Sequence, residues 1–273
     1  MLAGIYAISS IGLSLVFGTL GIPNSAHASF IVLGSFISYF AFYLLGIDPL
    51  MSIPLCMGVL FILSIPLQKL LAIFVGAPHQ MYLLATYLLG IILENLMIIM
   101  WKNEYRMIIP SYSYLSIPLN GLSLPLVRLI TFVVSLGAIA CLAAFLKFTF
   151  IGKAIRALAQ DRDGAFLVGV DVKRLELITF GLGAGLAGCA GPLFATVFSF
   201  YPAMHNIWIG TLFIIVVVGG VGSITGTLLG SIVIGISRSL SGCFLPILAG
   251  DIITYIILLL VLLVKPSGLL GGR

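Results

Sequence analysis

Phe148–Leu175 reads FTFIGKAIRALAQDRDGAFLVGVDVKRL. Together with its flanking residues Lys147 and Glu176, it carries ten of the twenty-one charged residues in a chain of 273. Apolar sequence lies on both sides: LITFVVSLGAIACLAAFL (129–146) before it and LITFGLGAGLAGCAGPLFATVF (177–198) after it. The chain as a whole is 61% hydrophobic and only 8% charged, with a mean hydropathy of +1.28. Soluble domains carry about 25% charged residues. A soluble fold of this length has no interior large enough for so much apolar surface, so the bilayer is the solvent. The apolar runs are long rather than short and alternating, which calls for helices and not a barrel.

Runs long enough to cross, at about 17–25 residues each, fall near 1–21, 28–46, 51–75, 82–100, 124–146, 175–200 and 248–264. Between them, GGVGSITG (219–226) separates two shorter runs, 207–221 and 226–242. These read as two short helices joined by a glycine-rich turn, or as a re-entrant pair. The expected fold is therefore an all-α polytopic membrane protein. It has about eight or nine transmembrane or re-entrant helices in one domain, 1–273, with a cytoplasmic loop at 147–174. No small-residue cleavage site precedes a soluble region, so the first span is expected to stay.

Lys147, Lys153, Arg156, Arg162, Lys173 and Arg174 put the 147–174 loop in the cytoplasm. Five crossings before it place the N-terminus outside; four after it return Lys265 and Arg273 to the cytoplasm. Lys102 and Arg106 then fall on the outer side, a mild violation of the rule. The net charge of +5 sits at membrane boundaries, which argues against nucleic acid. Cys56, Cys141, Cys189 and Cys243 lie in or beside apolar runs without metal-ligand spacing and read as small buried hydrophobes. Tyr39, Tyr43, Trp101, Tyr105, Tyr201 and Trp208 read as interfacial anchors.

Within the charged island, Ile151, Ala154, Ile155, Leu158, Ala165 and Phe166 recur at helical spacing, with Lys153, Arg156, Gln160 and Asp163 largely off that stripe. One or two short amphipathic helices are expected, with one face on the membrane domain and the other toward the cytosol. A topogenic loop accounts for the Lys and Arg but not for Asp161, Asp163 and Asp171. A membrane-surface helix prefers mostly basic charge. Mixed signs suit a protein groove better.

The stretch Gly152–Leu193 resembles the coupling region of the branched-chain amino-acid ABC transporter permeases. So do GIYAISSIGLSLVFGTLGIPNSAH (4–27), GGVGSITGTLLG (219–230) and the closing KPSGLLG (265–271), in order along essentially the whole chain. The resemblance implies an importer's membrane subunit in the prokaryotic cytoplasmic (inner) membrane. It implies a second permease chain, ordinarily a different one, so a heterodimer; two cytosolic ABC ATPase subunits that bind the ATP; and an extracytoplasmic solute-binding protein. By it, Gly152, Ala154, Ile155, Arg156, Ala157, Gln160, Asp161, Arg162, Asp163, Ala165 and Gly169 form the ATPase-coupling segment. Cargo is expected to be branched-chain amino acids or similar small polar solutes. Two departures stand out. The family's usual Asn-Phe-Ala-His-Gly after the first span is here Asn24-Ser25-Ala26-His27-Ala28, and Asp163–Gly164 replaces the usual Glu-Ala pair.

No catalytic residue, metal site or cofactor is expected in the chain itself. It lacks GxxxxGK[ST], HExxH and GxSxG, and His27, His79 and His205 lie in separate loops. Candidate pathway residues are Asn24, Ser25, His27, Glu94 and Asn95; an ionisable group such as Glu94 inside a span is costly and usually faces the bundle interior. Arg238 and Asp251 flank an outer turn at 243–247 and are expected to pair. The alternative function is an ion-coupled secondary transporter, for which Glu94 is the one candidate carboxylate at mid-membrane.

Overall fold

The computed structural model describes residues 1–74, 79–119, 122–244 and 247–271. Pro246 and Arg273, which the sequence places at an outer turn and at the cytosolic end, lie outside them. The long helices are α1 (Leu2–Leu20), α2 (His27–Leu45), α3 (Ser52–Leu71), α4 (His79–Trp101) and α5 (Leu126–Phe148). The short pair α6 (Phe150–Gln160) and α7 (Arg162–Leu167), in the segment expected to be cytoplasmic, follows. The remainder is α8 (Val172–Val197), α9 (His205–Gly219), α10 (Ile224–Phe244) and α11 (Ile247–Val264). Eight helices are long and apolar enough to cross a membrane, and the apolar α11 follows them. The one sheet among the described residues is a hairpin, β1 (Ser116–Leu119) against β2 (Leu122–Pro125), in the loop between α4 and α5.

Every expected apolar run is a helix. The two runs around the glycine-rich stretch are 15 and 21 residues long, and α10 at about 31 Å is a full span rather than a short one. The turn between them uses Gly220 and Gly222 at positive φ. The chain's closing motif docks on that turn: Leu269 N–H donates to Val218 O and Leu270 N–H to Gly219 O, at 2.8 and 3.0 Å. Two motifs that look independent in sequence are thus one contact.

Helix α8 is the spine. Most of its 26 residues are buried, and it packs along α1, α2 and α3. Hydrocarbon offers no hydrophobic drive between helices, so close backbone approach through small residues supplies the packing. A side chain at Gly191 would fall on the backbone of Ile31, Gly34 and Ser35 in α2. The Ser35 hydroxyl donates to Gly191 O at 2.9 Å across the same crossing. The helix continues through Pro192, as α3 does through Pro66.

Among the described residues, contacts between loops fall into two separate groups. On one side the end of α1 meets the α9–α10 turn at Gly18 and Gly222, and the C-terminal tail joins them. On the other, Arg106 pairs with Phe200 through both backbone hydrogen bonds, and the Tyr112 hydroxyl donates to Asp48 at 3.3 Å. Burial and the neighbouring Asp48 carboxylate push the Tyr112 phenol above its ordinary pKa. This two-sided partition matches the alternation of inner and outer loops predicted from the Lys/Arg count. Arg106, the apparent violation, is not a loose outer cation. Its guanidinium lies over the rings of Phe36, Tyr39 and Phe40 and donates to Trp101 O.

Two expectations are corrected. Trp208 is not an interfacial anchor: only 8% exposed, it packs against Tyr6, Phe194 and Phe198. Of the cysteines, Cys56 and Cys189 are buried as expected, but Cys141 and Cys243 face outward.

Candidate functional site

The cytosolic segment is built by three short-range caps. The Thr149 hydroxyl donates to Phe145 O at the end of α5 and accepts from Gly152 N–H to start α6, which turns the chain sharply. Asp161 ends α6 and accepts from Gly164 N–H to start α7. Asp171 accepts from Arg174 N–H to start α8. Side-chain oxygens at N-caps satisfy amides that the helix leaves open. The Asp residues that a topogenic loop could not explain are thus capping residues in two cases out of three. Gly169 sits at φ +86 and lets the chain leave α7.

The expected coupling residues divide between two faces. Gly152, Ile155 and Ala165, with Leu158, are buried and seat the helices on the bundle, and Ala154 is half-buried. Arg156, Ala157, Gln160, Asp161, Arg162, Asp163 and Gly169 are exposed. The apolar stripe is narrower than the sequence suggests. Ile151 and Phe166 belong to the exposed face, where Phe150, Leu167 and Val168 join them. A hollow of about 440 Å3 beside α7 is lined by Arg162, Asp163, Phe166, Asp171 and Lys173, among others. The result is an exposed surface of mixed charge studded with bare apolar side chains.

Within the bilayer, two helices begin below the surface. The His27 Nε2 donates to Ser9 O at 2.9 Å. Ser9 lies seven residues, about 10 Å, inside the outer end of α1. Residues 22–26 therefore climb back from the inner end of α1 before α2 starts. Irregular backbone at such depth must be buried in protein or line a cavity. Here Asn24 Oδ1 accepts from Ala26 N–H, and Ser25 N–H donates to the Thr86 hydroxyl on α4. Helix α9 likewise begins beside Glu94, seven residues inside the outer end of α4. Asn206 Nδ2 donates to the Glu94 carboxylate at 3.4 Å, and His205 Nδ1 lies 3.8 Å from it.

These contacts share one geometry. Tyr82, Thr86, Gly90 and Glu94 recur every four residues and form one face of α4. Tyr82 donates to Gln68 on α3, Thr86 accepts from Ser25, Gly90 O accepts from the Ser29 hydroxyl, and Glu94 meets α9. So α4 is tied to the bundle by a polar ladder from the cytosolic end to well past mid-membrane. Of the expected pathway residues, Ser25 and Glu94 lie on this seam, with Asn24 buried just behind. His27 is fully buried against α1 and fixes the start of α2. Asn95 points the other way, exposed, donating to Ile91 O. Sequence reasoning missed Gln68, Tyr82, Thr86 and Asn206, although the four-residue spacing along α4 was there to be read.

Arg238 and Asp251 pair as expected, and Arg238 also donates to Tyr6, Thr211 and Thr254. This cluster clamps α1, α9, α10 and α11 together near their outer ends.

A sequence profile described as branched-chain amino acid transport system / permease component matches residues 1–262. The chain belongs to this family. The high-affinity branched-chain amino acid transport system permease protein BraD of Pseudomonas aeruginosa is 28% identical over 284 residues, covering 97% of this chain and 91% of the relative. The LivH permease protein of Escherichia coli K12 is 28% identical, covering 99% and 92%. A probable LivH of Methanocaldococcus jannaschii is also 28% identical, covering 98% and 89%. The permease protein LivM of Escherichia coli K12 is 31% identical over 126 residues. No solved structure matches. The protein is a multi-pass permease of the cytoplasmic membrane.

Proposed function

We propose that the chain is the membrane subunit of an ABC importer, moving branched-chain amino acids or similar small polar solutes inward. Separate ATPase subunits grip the exposed face of α6 and α7. The observation that carries this is the make-up of that face: Arg156, Gln160 and Asp163 beside bare Phe150, Phe166, Leu167 and Val168 on the cytosolic side. Such apolar groups exposed to water mark an interaction site, and interspersed charge gives it specificity. Similarity to both LivH and LivM supports pairing with a second, homologous permease chain. An extracytoplasmic binding protein delivers cargo to the outer side. In a secondary transporter Glu94 would have to bind the coupling ion, but its carboxylate is engaged by Asn206 at the start of α9. The test is uptake into proteoliposomes: solute accumulates only with the ATPase subunits and ATP present. Uptake by the permease without a nucleotide-hydrolysing companion overturns the reading.

The same reading places the solute route along the polar seam of α4. Thr86 is fully buried in this arrangement. In a background with the four native cysteines replaced by Ser, T86C is expected to react with a small water-soluble thiol reagent slowly at rest and faster during turnover. The rate should rise about tenfold, a population shift that takes ~1.4 kcal/mol of bias. Labelling that ignores loaded binding protein and ATP removes the seam from the route.

A further inference from the structure

Arg162, expected from sequence to belong to the coupling segment, is partly exposed, yet its guanidinium also reaches inward. Its Nη2 lies 2.6 Å from Glu176 Oε1, and the Glu176 side chain is 5% exposed. Lys173, three residues earlier on α8, adds a second positive charge nearby. Of the four ion pairs among the described residues, this one joins the cytosolic helices to a spanning helix. The others lie within the outer loop, between α4 and α9, or between α10 and α11.

Its position gives it leverage. Arg162 is the first residue of α7, directly after the Asp161 break between the two cytosolic helices. Glu176 lies five residues after the Asp171 cap of α8, the helix whose backbone crosses α1, α2 and α3 most closely. Tyr82 of α4, which donates to Gln68 of α3, lies within the field of the Glu176 carboxylate. The base of the spine and the short helices α6 and α7 therefore meet at one buried carboxylate, with the foot of the polar ladder in its field. Apolar seating by Ile155, Leu158 and Ala165 can slide. A buried charge cannot leave its counter-charge without a large penalty.

We infer that Arg162–Glu176 is the latch that makes α7 and α8 move as one body, and that Glu176 is the positioning residue through which movement of the cytosolic helices reaches α1–α4. The inference rests on the reading of α6 and α7 as the ATPase-facing segment. Closure of the ATPase subunits displaces α7, the ion pair carries α8 with it, and tightly crossed backbones pass the shift to the bundle. Packed elements respond to such a push as rigid bodies.

The test uses the complete transporter reconstituted with its ATPase subunits and loaded binding protein. E176Q keeps the shape of the side chain and removes its charge. It is expected to co-purify with the ATPases at wild-type yield and to hydrolyse ATP at the basal rate. Solute moved per ATP should fall roughly 5- to 150-fold, the range of ordinary coupling between sites. R162Q should lose the same ratio, and the charge-exchanged R162E/E176R should recover most of it. A ratio within about twofold of wild type, well below that range, in an assembled E176Q or R162Q overturns the latch. So does an assembled exchange variant no better than the singles. If E176Q fails to assemble, R162Q, whose side chain is 45% exposed, decides alone. If wild-type chain neither binds ATPases nor needs them, the docking assignment fails first, and the two failures are distinguishable.

Discussion

Arg156→Glu combined with Phe166→Asp is expected to abolish nucleotide-driven uptake while leaving the permease as stable as before. Both side chains project from the exposed face of the cytosolic helices. Neither Arg156 nor Phe166 is in an ion pair or hydrogen bond through its side chain among the described residues. Surface changes of this kind usually shift stability by no more than about 0.5 kcal/mol. Arg and aromatic side chains are, by contrast, typical centres of protein interfaces, each worth roughly 2 kcal/mol or more when removed. Two such losses, with reversed charge added, should weaken ATPase docking by at least ~1000-fold. Co-purification and proteoliposome uptake measure the first effect; thermal denaturation in detergent measures the second. Retained co-purification and uptake would move the docking surface elsewhere.

Gly191→Leu acts in the opposite way, on the fold and not on the partner. The first carbon of the new side chain would lie 2.6–2.7 Å from Gly34 C, Ser35 N and Ile31 O. Those are backbone atoms of α2, so no rotamer change can make room. Overpacking costs about 1–3 kcal/mol and sometimes more; losing the Ser35–Gly191 hydrogen bond adds about 1 kcal/mol. A loss of about 2–4 kcal/mol is a large share of the total stability of a typical protein. Unfolding in detergent should register it. Gly137→Leu is the control: nothing lies within 4 Å of a side-chain carbon built there, so the isolated chain should tolerate it. Equal effects of the two substitutions would refute the close α2–α8 crossing.

The spans were legible because hydrocarbon imposes length and apolarity on every crossing segment. All nine apolar runs became helices, and the charged island became two capped helices. The Arg238–Asp251 pair was legible because helical rise alone puts both at similar depth beside one turn. The faces of α6 and α7 were only partly legible. Ile151 and Phe166 have the spacing of seated residues, yet the break at Asp161 rotates α7 so that Phe166 faces outward. Arg162 shows the same limit: a charge in this loop reads as a docking group, and only the position of Glu176 shows that it also pairs with a buried carboxylate.

The amino-acid sequence by itself determined the solvent and the segments that cross it, and it set the expected orientation and the expected docking segment. Each follows from local composition, since burial in lipid and the Lys/Arg bias act on one segment at a time. Apart from Arg238–Asp251, the tertiary structure alone decided which polar groups meet. It started α2 and α9 inside the bilayer, lined the face of α4 with hydrogen bonds and placed one buried carboxylate under the cytosolic helices. Those outcomes depend on pairs of segments up to 112 residues apart, as for Glu94 and Asn206, and no local rule links residues so distant in the chain.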